Sequence, residues 1–156
     1  MFTQELAGKA EEAIKFYTSL FKNAKTAFLS RYEKGESPFD KPGTIKYGHF
    51  ILENQEFGAM DSAQVHKFKL NEAISFVVDC KDQEEVDYYW NRLSAHPKSE
   101  QCGWLKDKFG VSWQIVPTAM DEMLRSRDKK KLARVTEAFL KMKRFNLAEL
   151  EKAYKG

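Results

Sequence analysis

The sequence QCGWLKDKFGVSWQIVP, residues 101–117, predicts an antiparallel hairpin with strands at about 100–106 and 111–116. The intervening DKFG, residues 107–110, ends in glycine and is typical of a tight turn. Because side chains alternate along a strand, two faces are expected on the second strand. One carries Val111, Trp113 and Ile115, and the other carries Ser112, Gln114 and Val116.

Two segments of the first half are similar to segments of the second. NQEF, residues 54–57, corresponds to GVSW at 110–113, and AEEAIKFY at 10–17 corresponds to QEEVDYYW at 83–90. Two correspondences in the same order indicate an internal duplication. Each half is therefore predicted to contain a strand, a helix and three further strands, with a longer middle loop in the first half.

The remaining elements follow from hydrophobic periodicity and capping residues. Helices are predicted over 8–21 and about 82–95, with Asp82 as N-cap and Glu85 three residues later. Strands are predicted at 1–6, 26–32, 44–52, 56–61 and 73–80. The tail from Thr118 is predicted to be helical, with starts at Thr118 and Asn146, and its apolar stripes are expected to pack on the sheet or on a second subunit.

Composition limits the class of protein. The 156 residues are 42% hydrophobic and 31% charged, which is typical of a globular chain, and a net charge of +3 argues against a nucleic-acid partner. The two cysteines, Cys80 and Cys102, provide no disulfide framework. With neither a signal peptide nor an apolar run of spanning length, we expect a cytoplasmic protein that does not bind membranes.

Residues 101–117 resemble the signature of the PhnB-like branch of the vicinal-oxygen-chelate (glyoxalase/bleomycin resistance/dioxygenase) superfamily, also labelled demethylubiquinone 3-methyltransferase-like. The segments 10–21, 71–76, 82–87 and 134–142 are similar to the same family. The resemblance implies an α+β fold of paired β-α-β-β-β modules with a C-terminal helical extension, assembled as a homodimer. The expected boundaries are 1–66 and 67–117 for the two modules of the domain 1–117, and 118–156 for the extension.

The resemblance leaves the chemistry open, because relatives include metal-dependent isomerases, dioxygenases and thiol transferases as well as metal-free proteins that bind a drug. A true methyltransferase is not expected, since the chain lacks a strand, glycine-rich turn and helix for the methyl donor. Nor does it contain a Ser/His/Asp arrangement, a phosphate loop or a CxxC motif. The catalytic residues are therefore left unassigned.

Metal-dependent members of the superfamily hold the ion with His or Glu from the first and last strands of each half. Here Gln114 and, by the internal correspondence, Gly58 occupy the positions on the last strands, and the nearest acids to the first strands are Glu5 and Glu72. A neutral amide does not compensate the charge of a cation. We therefore expect no tightly bound metal and no other cofactor, with a divalent metal in an atypical shell as the alternative.

Several side chains are candidates for a ligand pocket. Gln114 can orient a ligand or be a satisfied buried amide, and His49, expected to share a face with Ile45, Tyr47 and Ile51, can contact a ligand or belong to the core. Asp61 is a turn cap or a pocket acid. The candidate ligand-binding set is Gln114, His49, Trp104, Trp113, Ser75 and Asp61, in which Trp104 and Trp113 form an aromatic wall or pack in the core.

Three functions are compatible with these patterns. The first is a protein that binds a small organic molecule in a sheet-lined cavity. The second is a lyase, isomerase or dioxygenase of the same superfamily, using a metal or acid–base residues such as His49. The third is a structural or assembly module whose cavity is filled by side chains.

Overall fold

The predicted duplication is visible in the order of the elements. The computed structural model describes residues 1–156, and the chain divides into two units, Met1–Lys69 and Leu70–Gly156. The first unit contains β1 (Phe2–Thr3), α1 (Ala10–Leu20), β2 (Lys25–Arg31), β3 (Ile45–Leu52), β4 (Gln55–Ala59) and β5 (Asp61–Ser62). The second contains β6 (Phe76–Cys80), α2 (Gln83–Leu93), β7 (Trp104–Lys106), β8 (Ser112–Pro117), α3 (Thr118–Leu124), α4 (Lys129–Leu140) and α5 (Leu147–Lys155).

Strand pairing follows the same plan in both units. The first strand pairs in parallel with the last, β1 with β5 and β6 with β8, and each unit contains an antiparallel hairpin, β3–β4 and β7–β8. The hairpin of the second unit includes its last strand, whereas β5 of the first unit pairs only with β1. In the first unit β2 extends the sheet on the far side of β3. The α+β class and the hairpin predicted from residues 101–117 are confirmed.

Helix α1 covers one face of the first sheet because its apolar residues recur at helical spacing. Its buried residues are Ala10, Ala13, Ile14, Tyr17 and Leu20. Gly48 on β3 permits this packing, since a Cβ at that position would lie 2.8 Å from Cδ1 of Ile14. Other buried residues of β3, such as Phe50, face the same helix, and the ring of Phe50 stacks on that of Tyr17.

Strand β3 contains a bulge that changes which face Ile45 occupies. Ser30 pairs with Tyr47 but Arg31 pairs with Ile45, so Lys46 is the extra residue on β3. As a result Ile45 is fully buried while Tyr47 is 47% exposed. The prediction that Ile45 shares a face with Tyr47 and His49 is wrong, because the bulge interrupts the alternation on which it was based.

The second unit has two strands after its helix rather than the three predicted for each half. A 3-10 turn at Pro97–Ser99 stands where a further edge strand would pair with β7. The neighbouring residues still pair with that edge, because the Ala95 N–H donates to Lys106 O and Gln101 bridges Trp104. Helix α2 begins as predicted, with the Asp82 side chain accepting the Glu85 N–H at 2.9 Å.

The C-terminal extension forms three helices within the second unit, where two helix starts were predicted. Asn146 caps α5 as expected, whereas α3 begins at Thr118 without a side-chain cap, and Asp128 caps an additional start at α4. The apolar stripes meet in one cluster of buried residues: Met120, Met123, Val135, Met142, Phe145 and Leu150. The longest helix, α4, has 12 residues, and no helix is long and apolar enough to cross a bilayer.

Candidate functional site

Each sheet has one face covered by its helix and one that carries exposed side chains. On the first unit this open face is defined by Phe28 on β2, by Tyr47, His49 and Ile51 on β3, and by Gly58 on β4, and we call it the first-unit face. On the second unit it is defined by Ser75, which precedes β6, and by Val77, Trp104, Lys106, Ser112 and Gln114, and we call it the second-unit face. The two faces contain four of the six predicted ligand-binding residues.

The first-unit face combines aromatic surface with a polar pair. Phe28 lies beside His49 in the strand register and is 55% exposed. Tyr47 Oη lies 3.1 Å from His49 Nε2, within hydrogen-bonding distance, and the two rings are 5.3 Å apart. Gly58 is the cross-strand partner of His49, and its missing side chain leaves the imidazole uncovered from that strand. His49 is therefore half-buried on an open face rather than in the core.

The second-unit face has Gln114 at its centre. Its Nε2 donates to Ser75 Oγ at 2.9 Å, and the strand register places Val77 on one side of it and Trp104 on the other. Gln114 is half-buried, as is Ser75. The side-chain nitrogen of Gln114 is thus occupied by Ser75. The same hydrogen bond fixes the orientation of the side-chain carbonyl oxygen.

Trp104 and Trp113 do not form a common aromatic wall. Trp104 pairs with Gln114 and shares its face, whereas Trp113 lies on the opposite face, next to Phe76, and is only 3% exposed. Its indole N–H donates to Asp107 Oδ2 at 2.8 Å, which satisfies the polar edge of the ring inside the core. Strand alternation is the reason for this separation, so Trp113 is placed in the core.

Asp61 acts as a structural cap. Its Oδ1 accepts the N–H groups of Gly8 and Ala10, both at 2.9 Å, and its Oδ2 accepts the Ile45 N–H at 2.9 Å. The carboxylate therefore supplies acceptors at the start of α1, where Lys9 provides no side-chain cap, and ties that helix to β3. Of the alternatives for Asp61, the geometry matches the cap rather than a pocket acid.

Sequence patterns did not indicate the charged pair on the second-unit face. Lys106 Nζ forms an ion pair with Glu72, which lies in the turn before β6. Ser112, the cross-strand partner of Lys106, has a buried Oγ without a hydrogen-bond partner. The alternation along β8 predicted that Ser112 shares the face of Gln114. The ion pair between Lys106 and Glu72 could not be predicted in this way, because it joins residues 34 positions apart in the sequence.

The residues of the two faces do not fit a metal ion of the kind that the superfamily uses. No group of three His, Cys, Asp or Glu side chains comes together in a way that could hold one. On the second-unit face the rows on either side of Gln114 contain Lys106, which is paired with Glu72, and a single carboxylate, Asp79, which is too few acidic ligands for a cation. On the first-unit face His49 is opposite a glycine instead of a carboxylate.

The paired sheets, each with a helix on one face, define the class as the glyoxalase-type fold of PhnB-like proteins. The family profile of 3-demethylubiquinone-9 3-methyltransferase matches residues 1–116. This chain belongs to that family, in which PhnB-like proteins are grouped.

Solved structures agree with this assignment. A PhnB protein from Bacillus cereus, described as a 3-demethylubiquinone-9 3-methyltransferase, is 40% identical, with a TM-score of 0.62 over 71% of this chain and 92% of that one. A protein from Pseudomonas aeruginosa, PA1353, is 17% identical with a TM-score of 0.54 over 71% and 90% of the two chains, a likeness of fold. Among curated proteins, none matches this chain.

The family's name refers to methyl transfer, and the residues here do not fit a typical methyl-donor site. Such a site uses a glycine-rich turn between a parallel strand and a helix. The connection from β6 to α2 is Lys81-Asp82, without glycine, and each unit has a single parallel strand pair. The site thus offers hydrogen-bonding, aromatic and cationic side chains, and no glycine-rich turn for a methyl donor.

Proposed function

We propose that this protein binds a small organic molecule on the open faces of its sheets without a tightly bound metal. The observation that carries the proposal is the first-unit face, where the exposed ring of Phe28 lies beside the Tyr47–His49 hydrogen bond. Exposed aromatic surface with a few placed polar groups is typical of ligand sites. An aromatic or conjugated ligand would stack on the rings and accept or donate at the imidazole.

Thermal-shift titration with planar aromatic compounds, including benzamide and p-cresol, tests this proposal. A ligand that binds only the folded protein raises the melting temperature in proportion to occupancy. Phe28→Ala and His49→Gln should weaken binding at least about fivefold, as expected for the loss of a contact worth about 1 kcal/mol. If no compound in a broad set raises the melting temperature, the proposal fails and the structural-module alternative is favoured.

Phe39→Ala is the matched control for Phe28→Ala. Both phenylalanines belong to the first unit and are similarly exposed, 57% and 55%, but Phe39 lies in the middle loop away from the strands. Phe39→Ala should leave the affinity unchanged. Equal losses in the two variants would show that general surface hydrophobicity, and not the first-unit face, controls binding.

An acid–base enzyme of the same superfamily is the second candidate function, and the Tyr47–His49 pair is the observation that favours it. Histidine is the side chain most often used for general acid–base catalysis, and a phenol within hydrogen-bonding distance can orient its ring. Mass spectrometry of each bound compound after incubation with the protein tests this function. Loss of conversion in His49→Gln at a compound concentration that saturates this variant would support catalysis, and Tyr47→Phe should retain binding. Unchanged compounds throughout would support binding alone.

We also propose that the chain assembles as a homodimer. Large apolar side chains remain exposed in the single chain, including Val65 at 90% and Ile74 at 78%, and symmetric pairs are the commonest assembly. Light scattering should give about twice the chain mass of 18.1 kDa. A value equal to one chain at micromolar concentration would contradict it.

A further inference from the structure

The polar end of the second-unit face contains three side chains in one row across the sheet. Lys106 on β7 is the direct partner of Ser112 on β8, and the parallel register of β6 continues this row to Ser75. The next row contains Val77, Gln114 and Trp104. Gln114 joins the rows because its Nε2 donates to Ser75 Oγ.

Ser112 is the unexplained group in this row. It is 2% exposed and its Oγ has no hydrogen-bond partner. Its neighbour Trp113 points into the core, so by strand alternation Ser112 points toward the open face, where Lys106 lies opposite. Buried hydroxyl groups nearly always have a partner, so this donor calls for an acceptor on that side.

Glu72 supplies a carboxylate at the same place from within the chain. It lies in an exposed turn, and its side chain is 58% exposed while that of Lys106 is 21% exposed. The Lys106 side chain is therefore mostly buried at the sheet surface, and the Glu72 carboxylate contacts its ammonium from the solvent side. An exposed ion pair of this kind contributes little free energy and can be exchanged for another anion.

We propose that the second-unit face binds the carboxylate of a small organic acid, and that Glu72 holds this place in the ligand-free protein. The ligand carboxylate displaces Glu72 and accepts hydrogen bonds from Lys106 Nζ and from the Ser112 hydroxyl. Its apolar body then lies over Val77 and Trp104, which adjoin this row. The inference rests on the proposed binding function and adds the chemical class of the ligand.

Charge across the rest of the face orients such a ligand. Beyond Val77 the face ends at Asp79, beside a depression of about 300 Å³ that Asp121 and Glu122 also line. Three carboxylates at this end repel an anion, with Arg125 already paired to Asp121 at 3.1 Å. The carboxylate of the ligand is therefore directed to the Lys106 end.

Titration of the ¹⁵N-labelled protein with benzoate and with benzamide tests the proposal. Benzamide is the neutral counterpart of nearly the same shape, so the comparison isolates the charge. Benzoate should bind at least about tenfold more tightly than benzamide and shift the amide signals of residues 72, 106 and 112, because charge-assisted hydrogen bonds are the stronger ones. Lys106→Gln should abolish that preference.

Glu72→Gln gives the most specific readout because its effect has the opposite sign. Removing the internal competitor should tighten benzoate binding about two- to fivefold, the range expected for an exposed ion pair, and leave benzamide unchanged. Glu36→Gln is the matched control, since Glu36 forms a similar exposed ion pair with Lys46 on the first unit. It should not alter the affinity for benzoate.

The outcomes separate this inference from the proposed function. If benzamide shifts the signals of residues 72, 106 and 112 and binds there as tightly as benzoate, or if Glu72→Gln leaves benzoate affinity unchanged, the carboxylate site is refuted while small-molecule binding stands. If neither compound binds but other aromatic compounds stabilise the protein, the carboxylate site is again refuted alone. If no compound binds by either method, both proposals fail.

Discussion

Gly103 lies directly against the ring of Phe145, so closely that a Cβ at residue 103 would overlap Cε2 of that ring and lie 3.1 Å from the carbonyl oxygen of Ile115. The turn before β7 and the C-terminal extension therefore pack without room for a methyl group. Gly103 also has a φ of +81°, a backbone conformation that residues with a Cβ rarely adopt.

We expect Gly103→Ala to lower the free energy of unfolding by about 2–4 kcal/mol, from the strained backbone together with the overlap. Gly110→Ala is the control, because Gly110 has a similar φ of +78° and no atom within 4 Å of a Cβ. It should cost only about 1 kcal/mol, for the backbone alone. Urea unfolding measures both, and equal losses would refute the role of Phe145.

Asp61→Ala should destabilise the protein by about 3 kcal/mol or more, because it leaves three N–H groups without their acceptors, two of them in the interior. Asp61→Asn should lie between alanine and the wild type, since one oxygen remains and an amide donor faces a donor. Asp128→Asn is the control at an exposed cap, where asparagine caps nearly as well and the change should stay within about 0.5 kcal/mol. A small effect of Asp61→Ala in urea unfolding would contradict the capping role.

The pKa of Glu11 is lowered from 4.5 to about 2, mainly by its hydrogen bond with Arg31 and then by that with Lys15. A carboxyl with a depressed folded-state pKa adds stability above its unfolded pKa and loses it as the pH falls. The wild type should therefore melt at a higher temperature than Glu11→Gln above about pH 4.5, and the difference should close as the pH approaches 2.

Melting temperatures measured at intervals between pH 7 and pH 2 check this prediction. The control is Glu151→Gln, which removes an exposed pair with Lys155 at 3.5 Å and should change the melting temperature little at any pH. A difference between the wild type and Glu11→Gln that stays constant with pH would mean that packing, and not charge, is responsible.

Burial raises the pKa of the Cys80 thiol to about 12, with the nearby carboxylate of Glu85 adding to the effect. Since the thiolate is the reactive form, Cys80 should not react with Ellman's reagent at pH 8 while the protein is folded. Cys102 is half-buried, so at most one thiol per chain should react in the native state and both after denaturation. Reaction of the folded Cys102→Ser variant would contradict this.

Local patterns were sufficient for part of the fold and of the site. The cap of α2 could be predicted because Asp82 and Glu85 are neighbours in sequence, and the face of Gln114 followed from alternation within one strand. The bulge at Lys46 could not be predicted from the sequence, because it depends on the register between β2 and β3. The ion pair of Lys106 with Glu72 and the three acceptor contacts of Asp61 join distant residues, and such contacts leave no periodic signal.

The part of the chain that matches the family ends at residue 116, but the folded second unit does not end there. The carbonyl oxygens of Met142 and Lys143 in the extension accept hydrogen bonds from the N–H groups of Cys102 and Gly103, at 2.9 and 2.7 Å, and Val116 packs against the extension's apolar cluster. Cutting the chain after Pro117 would leave these N–H groups without acceptors and expose the apolar side of the turn. Truncation by family alignment would therefore remove the apolar cluster of the extension from the Cys102 and Val116 side chains that pack against it.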